Sequence, residues 1–312
     1  MPKQYFEDFP VGRILQFGDY DVTGEAIEAY RAAFDPVPAK AELARIASGW
    51  HVAAVLSRLA CDGFLLDSSS AGGPGVPRFE YFKPVHGGDR LWSRTTVLTA
   101  RASRSKPHLG FVDFRFEIIR RPDDTVAVMD GGVIFGVRNP ADPQPGEARA
   151  SPERAGEEAV TARPSASAST SNLSELGVGS TIELGNYVFG GEEVLAFAAE
   201  FDPQPFHLDN GEAATHGHFG KIAASGWHTA AALASRLAAS RGTRPAAMRG
   251  FRNLVWHRPV HVGDSLCFSA IVAEKRPAAD GVRLTLRCRA VNQDKLLTAS
   301  VEVEELDRQA SS

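Results

Sequence analysis

The 312-residue sequence has little that would announce a compartment, a membrane or a polymer partner. It holds three cysteines, Cys61, Cys267 and Cys288, far apart and without a CxxC spacing. That scarcity excludes a disulfide framework and a cysteine-rich zinc site, and it points to a reducing, cytoplasmic setting. No stretch approaches the ~18 apolar residues of a membrane span. The opening "MPKQYFEDFPVG" lacks the apolar segment of a secretory signal. Positive charge is not in excess, since the net charge is −4, so nucleic acid is a poor candidate partner. What is present is the composition of a soluble globular protein, with 43% hydrophobic residues, enough for a core in each of about two domains at ~150 residues apiece.

The chain repeats itself. "VGRILQFGDY" from residue 11 returns as "VGSTIELGNY" from residue 178, so that Gly12, Gly18, Tyr20 and Phe34 correspond to Gly179, Gly185, Tyr187 and Phe201. "IASGWHVAAVLSRLA" from residue 46 returns as "AASGWHTAAALASRLA" from residue 223, and "KPVHGGDRLW" as "RPVHVGDSLC" from residue 258. Fixed self-similarity of this kind means one fold used twice. The first copy is shorter by ten residues between "FDP" and "SGWH". Between the copies, residues 139–172 are rich in Pro, Ala, Ser, Glu and Gly and nearly free of large apolar side chains. Such a segment cannot bury enough surface to offset its ordering entropy and reads as a flexible linker. The expected division is therefore residues 1–138, a linker at 139–172, and residues 173–312.

Each copy reads alike. A strand-like opening ("RILQFGDYDV", "TIELGNYVF") leads to an amphipathic helix ("GEAIEAYRAAF", "GEEVLAFAAEF"). A loop follows, then a helix from "SGWH" that is apolar most of the way round, as a helix wrapped by a sheet would be. Period-two segments such as "VDFRFEII" and "VRLTLRCRAV" follow, then "TVAVMDGGVIFGV" and "KLLTASVEVEEL". One buried helix with a run of mainly antiparallel strands, twice over, is an α+β architecture.

The copies differ at one loop. "FDPQPFHLDN" at 201–210 carries Asp202 and His207, whereas "FDPVPAKAEL" at 34–43 keeps Asp35 and has no His. Two prolines stiffen the second loop, and a carboxylate and an imidazole on one stiff turn can share the protons of a water, as general acid/base work requires. The structural alternative is a capping Asp202 and a loop His207. Ser225 and Gly226 open the second "SGWH" helix, where free N–H groups and partial positive charge favour a ligand oxygen, and a Gly lets it approach closely. The structural alternative is an N-cap Ser and a packing Gly, and the survival of "SGWH" at Ser48–His51 favours it for part of the motif. Other signals are weaker. "AGGPGVP" at 71–77 lacks the Lys-Ser/Thr of a phosphate loop. His216, His218, His257 and His261 have no acidic or Cys partner at metal-ligand spacing. Arg249, Arg252 and Arg258 could meet phosphates or simply be solvated.

The stretch "FDPQPFHLDNGEAATHGHFGKIAASGWHTAAL" resembles the MaoC-like dehydratases, the (R)-specific enoyl-CoA hydratases. The likeness covers most of 173–306 and, more weakly, 5–138. The family motif, Asp-x-Asn-Pro-aliphatic-His, reads here Asp202-Pro203-Gln204-Pro205-Phe206-His207, with Gln for Asn and Phe for the aliphatic. The resemblance implies two tandem hotdog folds, each an antiparallel sheet around a central helix, with a degenerate N-terminal copy. It implies Asp202 and His207 as the catalytic pair, the Gly226 amide as oxyanion donor, and Ser225, Gln204, Trp227, Arg249 and Arg252 as substrate contacts. Ser235 lies near the place where the family often has a helix Ser. The implied reaction is reversible hydration of a 2-enoyl thioester of CoA or acyl carrier protein, without metal or redox cofactor. A homodimer of the chain is compatible with it. Alternatives are a branched or dicarboxylic (mesaconyl-type) substrate, a non-catalytic thioester-binding hotdog, and a hotdog thioesterase.

Overall fold

The computed structural model describes residues 3–37, 42–139, 173–215, 219–241, 246–279 and 281–308. The expected linker lies, but for its first residue, outside them. The first copy runs β1 (Ile14–Asp21), α1 (Gly24–Phe34), α2 (Gly49–Ala60), β2 (Gly75–Tyr81), β3 (Arg90–Ala102), β4 (Leu109–Arg120) and β5 (Asp124–Gly136). The second runs β6 (Thr181–Val188), α3 (Gly191–Phe201), α4 (Pro205–Leu208), α5 (Asn210–Thr215), α6 (Gly226–Arg241), β7 (Ala246–Trp256), β8 (Ser265–Ala278), β9 (Gly281–Val291) and β10 (Leu297–Arg308). The repeat in sequence is thus a repeat in structure, with α4 and α5 occupying the stretch that the first copy shortens.

All ten strands form one antiparallel sheet in the order β1-β3-β4-β5-β2-β7-β10-β9-β8-β6. Period-two alternation sets its inner face. Val112, Phe114, Phe116 and Ile118 of β4 are buried, as are Leu266, Phe268, Ala270 and Val272 of β8. The halves join at β2 and β7, where Phe79 pairs with Phe251 and their rings stack 5.0 Å apart. A Cβ on Gly250 would lie 2.3 Å from the Phe79 carbonyl oxygen, so this seam closes only on glycine. The glycines shared by the first strands have a common cause: Gly18 and Gly185 sit at matching bulges with φ of 90° and 83°, a left-handed conformation that other residues resist.

The wrapped helices behave as their composition predicts. Every residue of α2 except Arg58 is buried, and α6 is buried along most of its length, from His228 to Arg241. Ser48 and Ser225 open them, each accepting a hydrogen bond from the second residue on (Trp50 N 3.2 Å, Trp227 N 3.1 Å). The His of each "SGWH" is a packing residue. His51 stacks on Tyr30 at 4.4 Å, and burial, with Arg31 nearby, pushes its pKa down to about 4. His228 stacks on Phe197 at 4.8 Å. Among the described residues no helix is long and apolar enough to cross a membrane.

Candidate functional site

Helix α3 ends at Phe201, and Asp202 is its C-cap, with its N–H still bonded to Ala198 O at 2.8 Å. Pro205 starts the single turn α4 that carries His207, pre-set by the fixed φ of proline. The turn folds the imidazole back over the carboxylate, with His207 Nε2 3.4 Å from Asp202 Oδ2. Both residues are 4% exposed. His207 Nδ1 lies 2.7 Å from the Ala223 carbonyl oxygen, an acceptor only, so Nδ1 carries a hydrogen. Nε2 is left as the exchangeable nitrogen, and it is the one facing Asp202.

The carboxylate is held on both oxygens. Ser225 Oγ donates to Oδ2 at 2.6 Å, and Gln204 Nε2 donates to Oδ1 at 2.9 Å. The Cys61 thiol, just past the end of α2 in the N-terminal half, approaches Oδ1 at 3.4 Å. Burial alone would raise the Asp202 pKa. The facing His207 and the hydrogen bonds from His207, Ser225 and Gln204 outweigh it, so the pKa falls below its ordinary value. Burial and the neighbouring carboxylate drive the Cys61 thiol the other way, well up, so it remains a neutral donor.

This cluster forms one wall of a cavity of about 750 Å³. Asp202, Gln204, His207, Gly226, Trp227 and Trp256 line it from the second copy. The opposite wall belongs to the first copy: Leu56, Ser57 and Ala60 of α2, Ser70–Pro74 of the loop before β2, and Val76, Phe116 and Met129 of the sheet. Gly226 is the first residue of α6, where an N–H has no acceptor one turn back. Its own carbonyl accepts from Trp256 Nε1 at 3.0 Å.

The sequence candidates thus separate by place. Asp202, Gln204, Ser225 and His207 converge on one point, and Gly226 and Trp227 border the same cavity. Arg249 and Arg252 do not line the cavity: both are exposed on β7, and Arg252 lies 3.5 Å from Glu304. Ser235 is away from it too, its hydroxyl turned to its own helix at Ala232 O (2.9 Å), whereas Ser57 of the other half does border it. Among the described residues no group of three His, Cys, Asp or Glu side chains is placed to hold a metal. His257 bonds Ser300 Oγ at 2.9 Å and His261 the Phe219 carbonyl at 3.0 Å. His216 and His218 lie outside the described residues. Cys61 and Ser70 carried no motif and were invisible in the sequence, because they reach the site only through the docking of the two halves. The "AGGPGVP" segment also proves to be part loop, part strand: β2 begins at Gly75 and the preceding residues face the cavity.

In the first copy Asp35, the C-cap of α1, is taken by the Arg31 of that helix, 3.3 Å away, and both are buried.

Comparison with known proteins bears on the fold. The family model of the MaoC like domain matches residues 175–292. No curated protein matches the chain. Among solved structures, a MaoC domain protein of Chloroflexus aurantiacus superposes with a TM-score of 0.75 at 16% identity, covering 99% of each chain. A Mycobacterium tuberculosis protein described as a double hotdog gives 0.65 at 18% identity, covering 97% of this chain and 98% of its own. Peroxisomal multifunctional enzyme type 2 of Drosophila melanogaster gives 0.57 at 14% identity over 94% of this chain and 48% of that one. Residues 175–292 thus match the MaoC like domain, within a chain whose fold is that of a double hotdog.

Proposed function

We propose that the protein reversibly adds water across the 2,3-double bond of an acyl thioester, of CoA or acyl carrier protein, through Asp202 and His207. The observation that carries this reading is the facing of Asp202 Oδ2 and His207 Nε2 at 3.4 Å on the wall of a cavity that Gly226 also borders. A water held between the two groups adds its oxygen to C3 as its proton passes to Asp202. Negative charge moves onto the thioester oxygen, where the Gly226 N–H at the positive end of α6 receives it. The enolate collapses as C2 takes a proton from His207 Nε2, and the proton taken up by Asp202 passes across to that nitrogen. One water is consumed and the carboxylate–imidazole pair ends as it began; dehydration is the reverse. The low pKa of Asp202 keeps it in the accepting, ionised form at neutral pH. By family analogy the 3-hydroxy product is the (R) isomer.

The N-terminal half, on this reading, supplies a wall and no second catalytic pair, since Asp35 is neutralised by Arg31. The test is a screen of 2-enoyl-CoA thioesters from short to long chain, with branched and dicarboxylic members, following loss of the conjugated-thioester absorbance. Hydration of at least one series supports the reading. Release of free thiol without hydration would make the protein a thioesterase, and binding without turnover would make it a carrier; either overturns it.

A further inference from the structure

The loop from Ser68 to Gly75 belongs to the half that has no counterpart of His207, yet it reaches the site of the other half. It is mounted firmly. Ala71 N donates to Ile134 O at 2.8 Å, Ile134 N to Gly72 O at 2.9 Å, Gly136 N to Ser69 O at 3.0 Å, and Ser69 N to Gln4 O at 2.7 Å. From this mount Ser70 Oγ lies 2.9 Å from Gln204 Oε1, while Gln204 Nε2 lies 2.9 Å from Asp202 Oδ1.

The direction of this chain follows from the chemistry of its ends. An ionised carboxylate only accepts, so the amide of Gln204 must present its NH₂ to Asp202. Its oxygen then faces Ser70, which must donate. Ser70 Oγ can do so and still accept from Gly72 N, at 3.4 Å. Were the hydroxyl absent, Gln204 Oε1 would lose this partner, and the 7%-exposed amide could turn its oxygen toward the carboxylate.

We propose that Ser70 of the N-terminal half is a positioning residue for Asp202, acting through the side-chain amide of Gln204, so that the degenerate copy orients the carboxylate of the site it does not itself possess. This deepens the hydratase reading and rests on it for any effect on rate. The relay explains why Gln serves at position 204. Its longer side chain spans from Asp202 to a hydroxyl on the other half. The titratable groups facing Asp202 are His207 of α4 and the Cys61 thiol beyond α2; the loop before α6 adds the uncharged Ser225 hydroxyl.

The experiment uses the full chain and two readouts. Asp202 is titrated by carbon-13 NMR of γ-labelled aspartate, its signal assigned by its disappearance in Asp202→Asn, and kcat/KM is measured against pH. In Ser70→Ala the Asp202 titration and the acidic limb of kcat/KM should move together to higher pH. At neutral pH kcat should fall about 10- to 100-fold, the scale of a misplaced catalytic group, with KM little changed. Ser70→Thr should restore both. In a Gln204→Leu background, Ser70→Ala should add nothing, because the relay is already cut. An unmoved Asp202 titration in Ser70→Ala, or an effect fully additive with Gln204→Leu, overturns the proposal. Should Ser70→Ala fail to fold, the titration in Gln204→Leu decides in its place, and an unmoved Asp202 there likewise overturns it. The NMR readout stands without any substrate, so a failed hydration assay would count against the proposed function and not against the relay.

Discussion

Replacing Asp202 by Asn should remove the chemistry and keep the fold. Asn has the same shape, and its amide finds partners at every contact of the carboxylate. Its oxygen, placed at Oδ1, accepts from Gln204 Nε2 and the Cys61 thiol. Its NH₂, placed at Oδ2, faces His207 Nε2, which accepts in the neutral imidazole whose hydrogen is on Nδ1. It also faces Ser225 Oγ, which accepts from Trp227 N and has a second lone pair to offer. Charge-assisted bonds at ~1.5–3 kcal/mol become neutral ones at ~0.5–1.5 kcal/mol, while the burial of a charge is relieved, so the net loss should stay under about 2 kcal/mol. Asp202→Ala is the contrast. It orphans the donors on Ser225, Gln204 and Cys61, and at about 1 kcal/mol or more for each it should lose at least about 3 kcal/mol. The rate should fall roughly 100- to 10,000-fold in both, since the proton acceptor is gone. Stability should also change its dependence on pH. The folded pKa of Asp202 lies below its ordinary value of 3.8, so its contribution is complete above that pH and is lost as pH falls through the folded pKa. Thermal unfolding from pH 2 to pH 7 should show this acid-side loss in the parent and a flatter profile in Asp202→Asn. Turnover of Asp202→Asn within tenfold of the parent, measured per folded molecule, would refute the reasoning.

Three further outcomes are expected. His207→Ala should lower kcat/KM by roughly 100- to 10,000-fold, and the double variant with Asp202→Asn should be little worse than either single one, because both groups serve one water. Asp35→Asn should leave the rate within a few-fold of the parent while lowering the unfolding midpoint, since it strips the buried Arg31 of its partner 3.3 Å away; a collapse in specific rate would mean the first copy supplies catalytic groups. Gly226→Ala and Gly49→Ala should part company. A Cβ at 226 would lie 2.4 Å from the Trp256 indole, which is tied to the Gly226 carbonyl, and should cost about 1–3 kcal/mol as well as crowd the cavity. At 49 it clashes with the terminal methyl of Met248 at 2.3 Å, which can swing aside, and touches Tyr81 at an ordinary 3.6 Å, so less than about 1 kcal/mol is expected, read from denaturant midpoints, and equal losses in the two would contradict this packing.

The sequence by itself determined the repeated elements, because each rests on short-range rules. Alternation over Val112–Ile118 places one face of β4 inward. A helix apolar most of the way round after Ser48 or Ser225 has to be wrapped by a sheet. Gly18 and Gly185 answer to the same left-handed bulge in both copies. The Asp202–His207 pair was legible too, since six residues stiffened by two prolines bring their own ends together. The tertiary structure alone decided what faces that pair. Burial in one continuous sheet carries Cys61 and Ser70 across some 130 to 140 positions of chain to Asp202 and Gln204, and no local spacing encodes such a meeting. Ser235 turns to its own helix and Arg249 and Arg252 stay exposed on β7, while the docking puts Ser57 at the cavity instead. Side-chain direction on a helix or strand follows from what packs against it, and across two halves of a double fold that is a property of the assembled sheet.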